Sequence, residues 1–496
     1  MTEKVLVIGA GMAGLWTAMA LAPSGREIAL LDRDPPPPEG DADAAFDHWN
    51  RRGVGHLRHS HAFLARLRTL IRDRHPELLK ELLDAGCREL TFDGSLTETH
   101  KKTYRPQPID ADLSILTSRR TTVELVMRRY VERLPGVTMR SSSFVSSLLV
   151  EPGAPPRVTG VRLEDGSEIR ADIVVDAAGR TSSSLDHLAE AGVHVGESME
   201  PCGVIYFTRH YRLLPGLSEP PRGKAAATGD LGYLKFGVFP GDNGCFSITL
   251  CLPEVEEEMR KVIVDPKLFD AICAQLPGVA PWIAADRSAP TSRVFGMGEL
   301  QSRWREYAPD SRPAVLGFFP VGDCAVRTNP LYGRGCSFAG VSAHLLADAL
   351  AASADPRARM LLYRDGLERE LRPYYDFMAQ ADRSAIRRAA QALTPSHRPN
   401  LKARMAKSFL EDGIAIAIRE DVDLLRAFLL GFHMLEHPQG WMRDPRNLAK
   451  IMKAWSRGRR RNAALYPAKG GPDREPMLTA LGVSVTADIE RLGRAA

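Results

Sequence analysis

The first 34 residues alternate between short apolar runs and a longer run of small and apolar residues. Residues 4–8 are rich in Val and Ile, residues 12–22 in Ala, Leu and Met, and residues 27–31 in Ile and Leu. Short β-branched runs are typical of buried parallel strands, whereas the longer Ala- and Leu-rich run favours a helix. The pattern therefore predicts a strand–helix–strand unit at the start of the chain.

Later segments change pattern several times. Residues 91–112 are irregular, residues 117–134 have helical spacing, and residues 137–175 alternate as strands with a hairpin turn at Asp165-Gly166. Residues 204–299 predict antiparallel strands that are interrupted by helix at about 254–276. A buried strand at 314–319 and a helix from about 337 to 352 then restore the first pattern, and helical stretches at 358–392 and 402–436 dominate the rest.

These changes divide the chain into four predicted parts. Residues 1–200 and 311–370 form two segments of one Rossmann-like domain, residues 201–310 an antiparallel-sheet substrate domain, and residues 371–496 a helical C-terminal region. The predicted fold class is therefore α/β, with a second sheet that roofs over a pocket.

The turn after the first apolar run carries the spacing G-x-G-x-x-G at Gly9, Gly11 and Gly14. The first glycine allows a tight turn, the second lets a pyrophosphate approach the backbone, and the third lets the helix pack on the strand. Asp32 ends the next strand, 21 positions after Gly11, where an acid can accept hydrogen bonds from a ribose. This unit predicts a dinucleotide site, and a glycine-rich turn of another α/β protein is the alternative.

Composition narrows the class of protein. The 496 residues carry a net charge of +5, which implies no nucleic-acid partner. The seven cysteines include no C-x-x-C pair, which favours a reducing cytoplasm over a disulfide framework or a metal site. The first strand begins after three residues, so we expect no signal peptide, and no apolar run approaches the ~20 residues that span a bilayer.

Two basic segments are candidates for contact with phosphates. Residues 46–61 are rich in Arg and His, including His56, His59 and His61, and predict a cationic loop over the cofactor; a metal site or a solvated loop are the alternatives. Arg119 and Arg120 stand at a predicted helix start, where the dipole disfavours positive charge, so we expect an anionic partner such as the cofactor. A solvent-facing pair is the alternative.

A second acid follows the strand at 314–319. Asp323 is placed to bind a ribityl or ribose hydroxyl, and the loop from Pro330 to Gly335 leads into a helix N-terminus. The free N–H groups of such a terminus favour negative charge on a reduced ring system. A plain strand–loop–helix connection is the alternative.

Three motifs in order resemble the FAD-dependent monooxygenases of the aromatic-hydroxylase type. They are GAGMAG at 9–14 with LLDRD at 30–34, ADIVVDAAGR at 171–180, and VGDCAVRTNPLYGRGCSFA at 321–339. The DAAGR ending is closer to the bacterial flavin epoxidases and flavin halogenases than to the simple hydroxylases. The resemblance covers roughly residues 1–370 and implies a GR2-type FAD-binding domain.

The resemblance also implies a set of cofactor-binding residues. Gly9, Gly11 and Gly14 hold the pyrophosphate, Asp32 the ribose, Asp323 the ribityl chain, and Arg120, with Arg119 as the alternative, touches FAD. GHLRHSHAF at 55–63 is similar to a flavin-proximal loop, with matches at Arg58 and His61. The full predicted set is Gly9, Gly11, Met12, Ala13, Gly14, Asp32, Arg33, Arg58, Arg120, Gly322, Asp323, Pro330, Gly333 and Gly335. No catalytic side chain and no metal ligand is assigned.

The function that the resemblance implies is monooxygenation of an apolar organic substrate, by epoxidation or hydroxylation, through a flavin hydroperoxide. The electron donor is NAD(P)H or a reduced flavin from a partner reductase, since no second G-x-G-x-x-G is present. A flavin-dependent reductase of isoprenoid double bonds, a halogenase and a non-enzymatic flavoprotein are the alternatives. GYLKFGVFP at 232–240 lacks the two tryptophans of the halogenase motif, which counts against halogenation. Contact of the amphipathic C-terminal helices with a membrane is an alternative to simple packing.

Overall fold

The computed structural model describes residues 2–392, 394 and 398–483. Its core is a parallel sheet whose strand order differs from the chain order. The strands, from one edge to the other, are Phe318–Pro320, Ile173–Asp176, Lys4–Ile8, Glu27–Leu31 and Val137–Arg140. The first strand of the chain is thus central, with partners about 25 and 170 residues away in the sequence. The α/β class and the Rossmann-like core that the sequence predicts are confirmed.

Helices pack on this parallel sheet and bury an apolar core. Met12–Leu21 packs against the long helix Gly335–Ala352, and Arg120–Glu132 lies beside it. The other helices of the first 200 residues are Ala42–His48, Ala65–Arg74, Pro76–Asp84, Phe92–Ser95, Glu98–Lys101 and Ser184–Glu190, with short 3₁₀ turns at Ala22–Ser24, Pro108–Leu113 and Gly179–Thr181. The stretch predicted as irregular, 91–112, therefore holds two short helices and a 3₁₀ turn.

A second, antiparallel sheet forms what we call the roof sheet. Its strands in spatial order are Thr228–Asp230, Lys235–Pro240, Cys245–Pro253, Val204–Leu213 and Ser288–Pro290, with Phe295–Met297 also pairing to Val204–Leu213. Helices Glu257–Val262 and Pro266–Ala274, with a 3₁₀ turn at Ala280–Trp282, supply the helical interruption predicted at 254–276. Their apolar side chains share a core with the roof sheet.

Three small sheets connect these parts. The hairpin predicted around Asp165-Gly166 is present within the strands Val145–Glu151, Arg157–Leu163 and Glu168–Arg170. Gly196–Pro201, Gln301–Glu306 and Val326–Arg327 form a second sheet, and Ala62–Phe63, Ile115–Thr117 and Arg88–Leu90 form a third. Further 3₁₀ turns lie at Pro309–Ser311, Gly322–Cys324 and Pro330–Tyr332.

The described part of the C-terminal region is helical, as its sequence pattern predicts. After the preceding helix Pro356–Glu370, its elements are Arg372–Ala392, Leu401–Ser408, the π-helical turn Phe409–Ile414, Ala415–Glu420, Val422–Phe432, Gly440–Arg443, Pro445–Arg461, Ala463–Leu465 and Arg474–Ala480. Met477 and Leu478 of the last helix pack into the core of the roof sheet. The part of the helical prediction at 484–496 lies outside the described residues.

Helix Gly335–Ala352 is the one element of the described chain that could cross a membrane by length and composition, with 18 residues of mean hydropathy 1.3. Its position in the protein explains that composition, because 56% of it is buried and it packs on Met12–Leu21 and Pro356–Glu370. The sequence expectation of no such apolar run missed this helix, whose hydrophobicity belongs to the core.

Candidate functional site

One cavity of about 610 Å³ connects the parallel sheet to the roof sheet. Eleven of the fourteen predicted cofactor residues line it; the three that do not are Gly14, Arg58 and Gly322. The glycine turn at 9–14 and the acid at Asp323 are over 300 residues apart in the chain, and the fold brings both to this one space. A volume in this range suits a cofactor or ligand site.

The glycine turn is shaped by close backbone contacts. Gly9 has φ +100°, and a Cβ there would lie 2.7 Å from the carbonyl oxygen of Ala177. A Cβ on Gly14 would lie 1.8 Å from the carbonyl oxygen of Gly9, so only glycine lets the helix begin so close to the strand. Gly11 lines the cavity, and an added Cβ there would lie 3.7 Å from Nη2 of Arg51, an ordinary van der Waals contact. The turn therefore leaves room for a group in front of Gly11 and at the N-terminus of the helix.

The predicted ribose acid, Asp32, lies in a buried cluster with two arginines. Its Oδ2 is 3.3 Å from Nη2 of Arg51 and 3.3 Å from Nη1 of Arg128, and its Oδ1 accepts the N–H of Asp34. Burial raises the pKa of Asp32, although both arginines oppose this. A carboxylate has about four acceptor positions, so Oδ1 keeps one for a ribose hydroxyl.

Arg51 and Arg128, the two arginines that contact Asp32, are functional candidates that the sequence reasoning missed. Nη1 of Arg51 is 3.3 Å from Oε2 of the fully buried Glu124, and Nε of Arg120 donates to Oε1 of the same carboxylate at 2.6 Å. Arg120, Glu124 and Arg128 recur every four residues on helix Arg120–Glu132, so one charged stripe faces inward. Because Arg120 was already predicted, its four-residue spacing to Glu124 and Arg128 was the signal that could have identified Arg128.

The structure decides between the two adjacent arginines. Arg120 lines the cavity, whereas Arg119 turns away and is 2.6 Å from the buried carboxylate of Asp242 and 2.7 Å from Asp43. Asp242 also accepts the backbone N–H of Arg119 at 2.8 Å and the hydroxyls of Ser118 and Thr122, each at 3.0 Å. The anionic partners of Arg119 are therefore Asp43 and Asp242, which lies in the turn between two roof strands, and not a cofactor.

Arg58 is also placed differently from its prediction. Its guanidinium donates to the carbonyl oxygens of Phe46 at 2.8 Å, Trp49 at 3.3 Å and Asp47 at 3.4 Å, and it does not line the cavity. Other residues of the basic loop do line the cavity, among them Arg51, seven residues earlier, and the predicted match His61. Among the described residues, no group of three or more His, Cys, Asp or Glu could hold a metal ion.

Next to the glycine turn, the loops after two neighbouring strands of the parallel sheet continue the cavity wall. Asp176 is fully buried and fixes its own loop by accepting the N–H of Ala178 at 3.1 Å and the hydroxyl of Ser182 at 2.6 Å. The next loop over presents Asp323, whose carboxylate has no hydrogen-bond partner within the described chain. Burial raises the pKa of Asp323, against the opposing charges of Arg327, Arg120, Arg303 and Arg180.

The roof sheet and the C-terminal region complete the cavity wall. Tyr206 of the roof donates to Asn329 at 2.8 Å, and Asn329 in turn donates to Asp382 of helix Arg372–Ala392 at 3.0 Å. Burial raises the pKa of Asp382 to about 6. Phe432 and His433, at the end of a later helix, also line the cavity. The C-terminal region thus contributes to the site, which the sequence left unassigned.

Comparison with known proteins agrees with this geometry. Residues 4–89 match the family model for FAD dependent oxidoreductases. PqsL of Pseudomonas aeruginosa, described as a probable FAD-dependent monooxygenase, has a TM-score of 0.56 at 18% identity, over 79% of this chain and 99% of that chain. The Diels-Alderase PyrE3 has a TM-score of 0.56 at 17% identity, over 88% and 81% of the two chains. The flavin-dependent brominase Bmp2 has a TM-score of 0.52 at 16% identity, over the full length of both. No curated protein matches the chain by sequence.

The residues around the cavity fit FAD. The space in front of Gly11 is open to a pyrophosphate, Asp32 keeps one acceptor position, and the Asp323 carboxylate is without a partner in the described chain. The family match covers the glycine turn and Asp32, and the structural likeness covers the rest of the fold. Residues 4–89 therefore match the model of an FAD dependent oxidoreductase domain, and the whole chain has a fold similar to that of solved flavin-dependent monooxygenase and brominase structures.

Proposed function

We propose that this protein is a monooxygenase that inserts one oxygen atom of O₂ into an organic substrate held beneath the roof sheet. The observation that carries the proposal is the single cavity that runs from the glycine turn, past Asp323 and the Gly333–Gly335 loop, to the roof strands. A cofactor at one end and a substrate at the other would share one continuous cavity, as oxygen transfer requires.

The chain's own residues have separate tasks in this proposal. The glycine turn and the N-terminus of helix Met12–Leu21 bind the pyrophosphate, and the free acceptor position of Asp32 binds the ribose. Asp323 binds the ribityl chain, and Arg120 lies between Glu124 and the bound cofactor. FAD itself supplies the redox chemistry when it is bound. The N-terminus of helix Gly335–Ala352 places a positive dipole end at the ring system.

The roof sheet excludes water and orients the substrate. Phe236, Phe239 and Met297 give part of its cavity face an apolar character, and Leu300 lies next to them in the cavity wall. Such an apolar wall could contact either an alkene that is epoxidised or an aromatic ring that is hydroxylated. In this proposal, the bound FAD is reduced by NAD(P)H that binds transiently or by a reduced flavin from a partner reductase. The proposed location is the cytoplasm.

The structural neighbours carry out different reactions on one fold, since their names include a monooxygenase, a brominase and a Diels-Alderase. The assay must therefore distinguish oxygen insertion from double-bond reduction and from halogenation. We expect the FAD-loaded protein, with NADH, NADPH or reduced FAD supplied in parallel, to consume O₂ in step with substrate. With ¹⁸O₂, one labelled oxygen should enter the product. Turnover under anaerobic conditions would instead favour a double-bond reductase, and a brominated product in the presence of bromide would favour a halogenase.

Substitution of Asp323 by Asn tests the cofactor site directly. We expect the dissociation constant for FAD to rise about 10- to 100-fold, because a hydrogen bond to a charged group contributes about 1.5–3 kcal/mol. Titration of apoprotein, followed by quenching of flavin fluorescence, measures this change. Asp348→Asn, on an exposed position of helix Gly335–Ala352, is the matched control. Equal affinities for FAD in the Asp323→Asn and Asp348→Asn variants would show that Asp323 does not bind the cofactor.

A further inference from the structure

Two histidines of the basic loop, His59 and His61, line the cavity where the roof sheet meets the Gly333–Gly335 loop. His61 immediately precedes Ala62, whose carbonyl oxygen would lie 3.4 Å from a Cβ on Gly333. His59 instead contacts Thr208 in the centre of the roof sheet. The pair therefore spans the boundary between the cofactor end and the substrate end of the cavity.

The direction of the hydrogen bonds around His59 follows from counting hydroxyl protons. Thr249 donates to Ser60 at 2.7 Å, so Thr208 must donate across the 2.7 Å contact to Thr249. The proton of Thr208 is then used, so the 3.0 Å contact with His59 requires Nδ1–H of His59 as donor. A neutral imidazole with its proton on Nδ1 carries a lone pair on Nε2. Nε2 of His59 has no partner within the described chain.

His61 has the same tautomer, with its proton on Nδ1, because of a different contact. Its Nδ1 lies 2.8 Å from the carbonyl oxygen of His59, and because a carbonyl only accepts, Nδ1 must carry the proton. Its Nε2 also has no partner among the described residues. The ring stacks on Phe63 with centroids 5.8 Å apart, which fixes its plane. Two lone pairs, held in orientation by backbone and roof, thus face the cavity.

Both rings stay neutral in this environment. Burial lowers the pKa of His59 to about 4, and burial together with the charge of Arg120 lowers the pKa of His61 to about 3. The other titratable groups that face His61, namely His56, His59 and His210, are themselves histidines whose pKa values burial lowers. The pair therefore accepts hydrogen bonds at physiological pH and offers no cation to an anionic ligand.

We propose that Nε2 of His59 and Nε2 of His61 form an acceptor pair that selects a substrate with a neutral O–H or N–H donor, such as a phenol, an alcohol or an aryl amine. The corresponding methyl ether leaves the lone pairs unpaired, and a carboxylate places its own lone pairs against them; both cost binding free energy. This inference rests on the proposed function only in identifying the selected molecule as the oxidised substrate.

The tautomers can be measured without any ligand. In protein with ¹⁵N-labelled histidine, we expect both rings to show a protonated Nδ1 and an unprotonated Nε2 from pH 8 down to pH 5. His61→Phe and His59→Phe assign the two pairs of resonances. A ring that is protonated on Nε2, or that titrates near pH 6.5, overturns the proposal for that residue. Because this arm does not need FAD or turnover, it stands even if the proposed oxygenation fails.

Binding to the FAD-loaded protein tests selection. The probes are two matched sets: 2-naphthol, 2-methoxynaphthalene and 2-naphthoate, and farnesol, its methyl ether and farnesoate. In at least one set, we expect the hydroxyl compound to bind at least about tenfold more tightly than the other two by calorimetry. If neither hydroxyl compound binds up to its solubility limit, or if the ethers bind equally well, the proposal fails.

Variants identify the residues responsible. We expect His61→Phe to remove most of the preference for the hydroxyl compound, and His61→Gln, which keeps an acceptor, to restore part of it. His194→Phe, at an exposed position outside the cavity lining, is the control. Unchanged near-ultraviolet circular dichroism and FAD content exclude misfolding. If FAD alone shifts Nε2 of both rings and the probes do not, the pair serves the cofactor and the proposal is wrong.

Discussion

We expect Gly14→Ala to abolish stable FAD binding and to lower the free energy of unfolding by at least about 3 kcal/mol, the upper range for overpacking a tight site. The added methyl group would lie 1.8 Å from the carbonyl oxygen of Gly9 and 2.9 Å from its carbonyl carbon. Both are backbone atoms, so no side chain can rotate away. The helix Met12–Leu21 must then shift from the central strand, and its N-terminus leaves the position that faces the pyrophosphate.

Urea denaturation and flavin fluorescence measure the two effects of Gly14→Ala separately. Gly223→Ala is the matched control, because an added Cβ there has no heavy atom within 4 Å and the backbone angle is ordinary. We expect this control to retain both stability and FAD. A Gly14→Ala protein that binds FAD with unchanged affinity would show that the helix N-terminus does not contact the cofactor.

The second large effect is expected for Asp242→Asn, which should lower the free energy of unfolding by about 3–5 kcal/mol. The substitution removes the negative charge that pairs with buried Arg119 and that accepts the hydroxyls of Ser118 and Thr122. Because Asp242 lies in the turn between two roof strands and Arg119 precedes helix Arg120–Glu132, the variant weakens the attachment of the roof to the cofactor domain.

The pH dependence of stability provides a further check on Asp242. Burial opposes its ionisation, but the hydrogen bonds and charge of Arg119 outweigh burial and hold the pKa of this carboxyl below its ordinary value. A depressed pKa stabilises the folded state above the unfolded-state pKa of about 3.9, and this stability is lost as the pH falls further. We therefore expect the gap between wild type and Asp242→Asn to narrow below about pH 4, while exposed Asp348→Asn follows wild type throughout. A constant gap would contradict this assignment.

The sequence predicted the backbone part of the site and little of its side-chain pairing. Gly9, Gly11 and Asp323 could be placed because each follows a buried strand, and the ends of parallel strands meet at one edge of a sheet. The partners of Asp32 could not be placed in this way. Arg51 comes from a loop with no periodic pattern, so its sequence gives no reason to prefer it over Arg58 as the residue that faces the cavity.

The charged stripe on helix Arg120–Glu132 shows a second limit of prediction from the sequence. Its four-residue spacing is visible in the sequence, but charge at such positions usually indicates a solvated face. Which of the two adjacent arginines faces the cavity depends on Asp242, more than 100 residues later in the chain. Asp242 pairs with the guanidinium of Arg119, and Arg120 faces the cavity. The sequence shows His59 and His61 only as members of a basic, histidine-rich loop. The tautomer of His59 depends on Thr208 and Thr249, which only the fold brings near.

The strand order of the parallel sheet has a consequence for synthesis on the ribosome. The central strand, Lys4–Ile8, is made first, yet its neighbour Ile173–Asp176 and the edge strand Phe318–Pro320 emerge much later. Glu27–Leu31 can pair with one edge of the central strand early, but at translation rates of roughly 5–20 residues per second its other edge stays unpaired for roughly 10–30 seconds. We therefore expect chaperones to bind this nascent chain, and the flavin to be captured only after most of the polypeptide has left the exit tunnel.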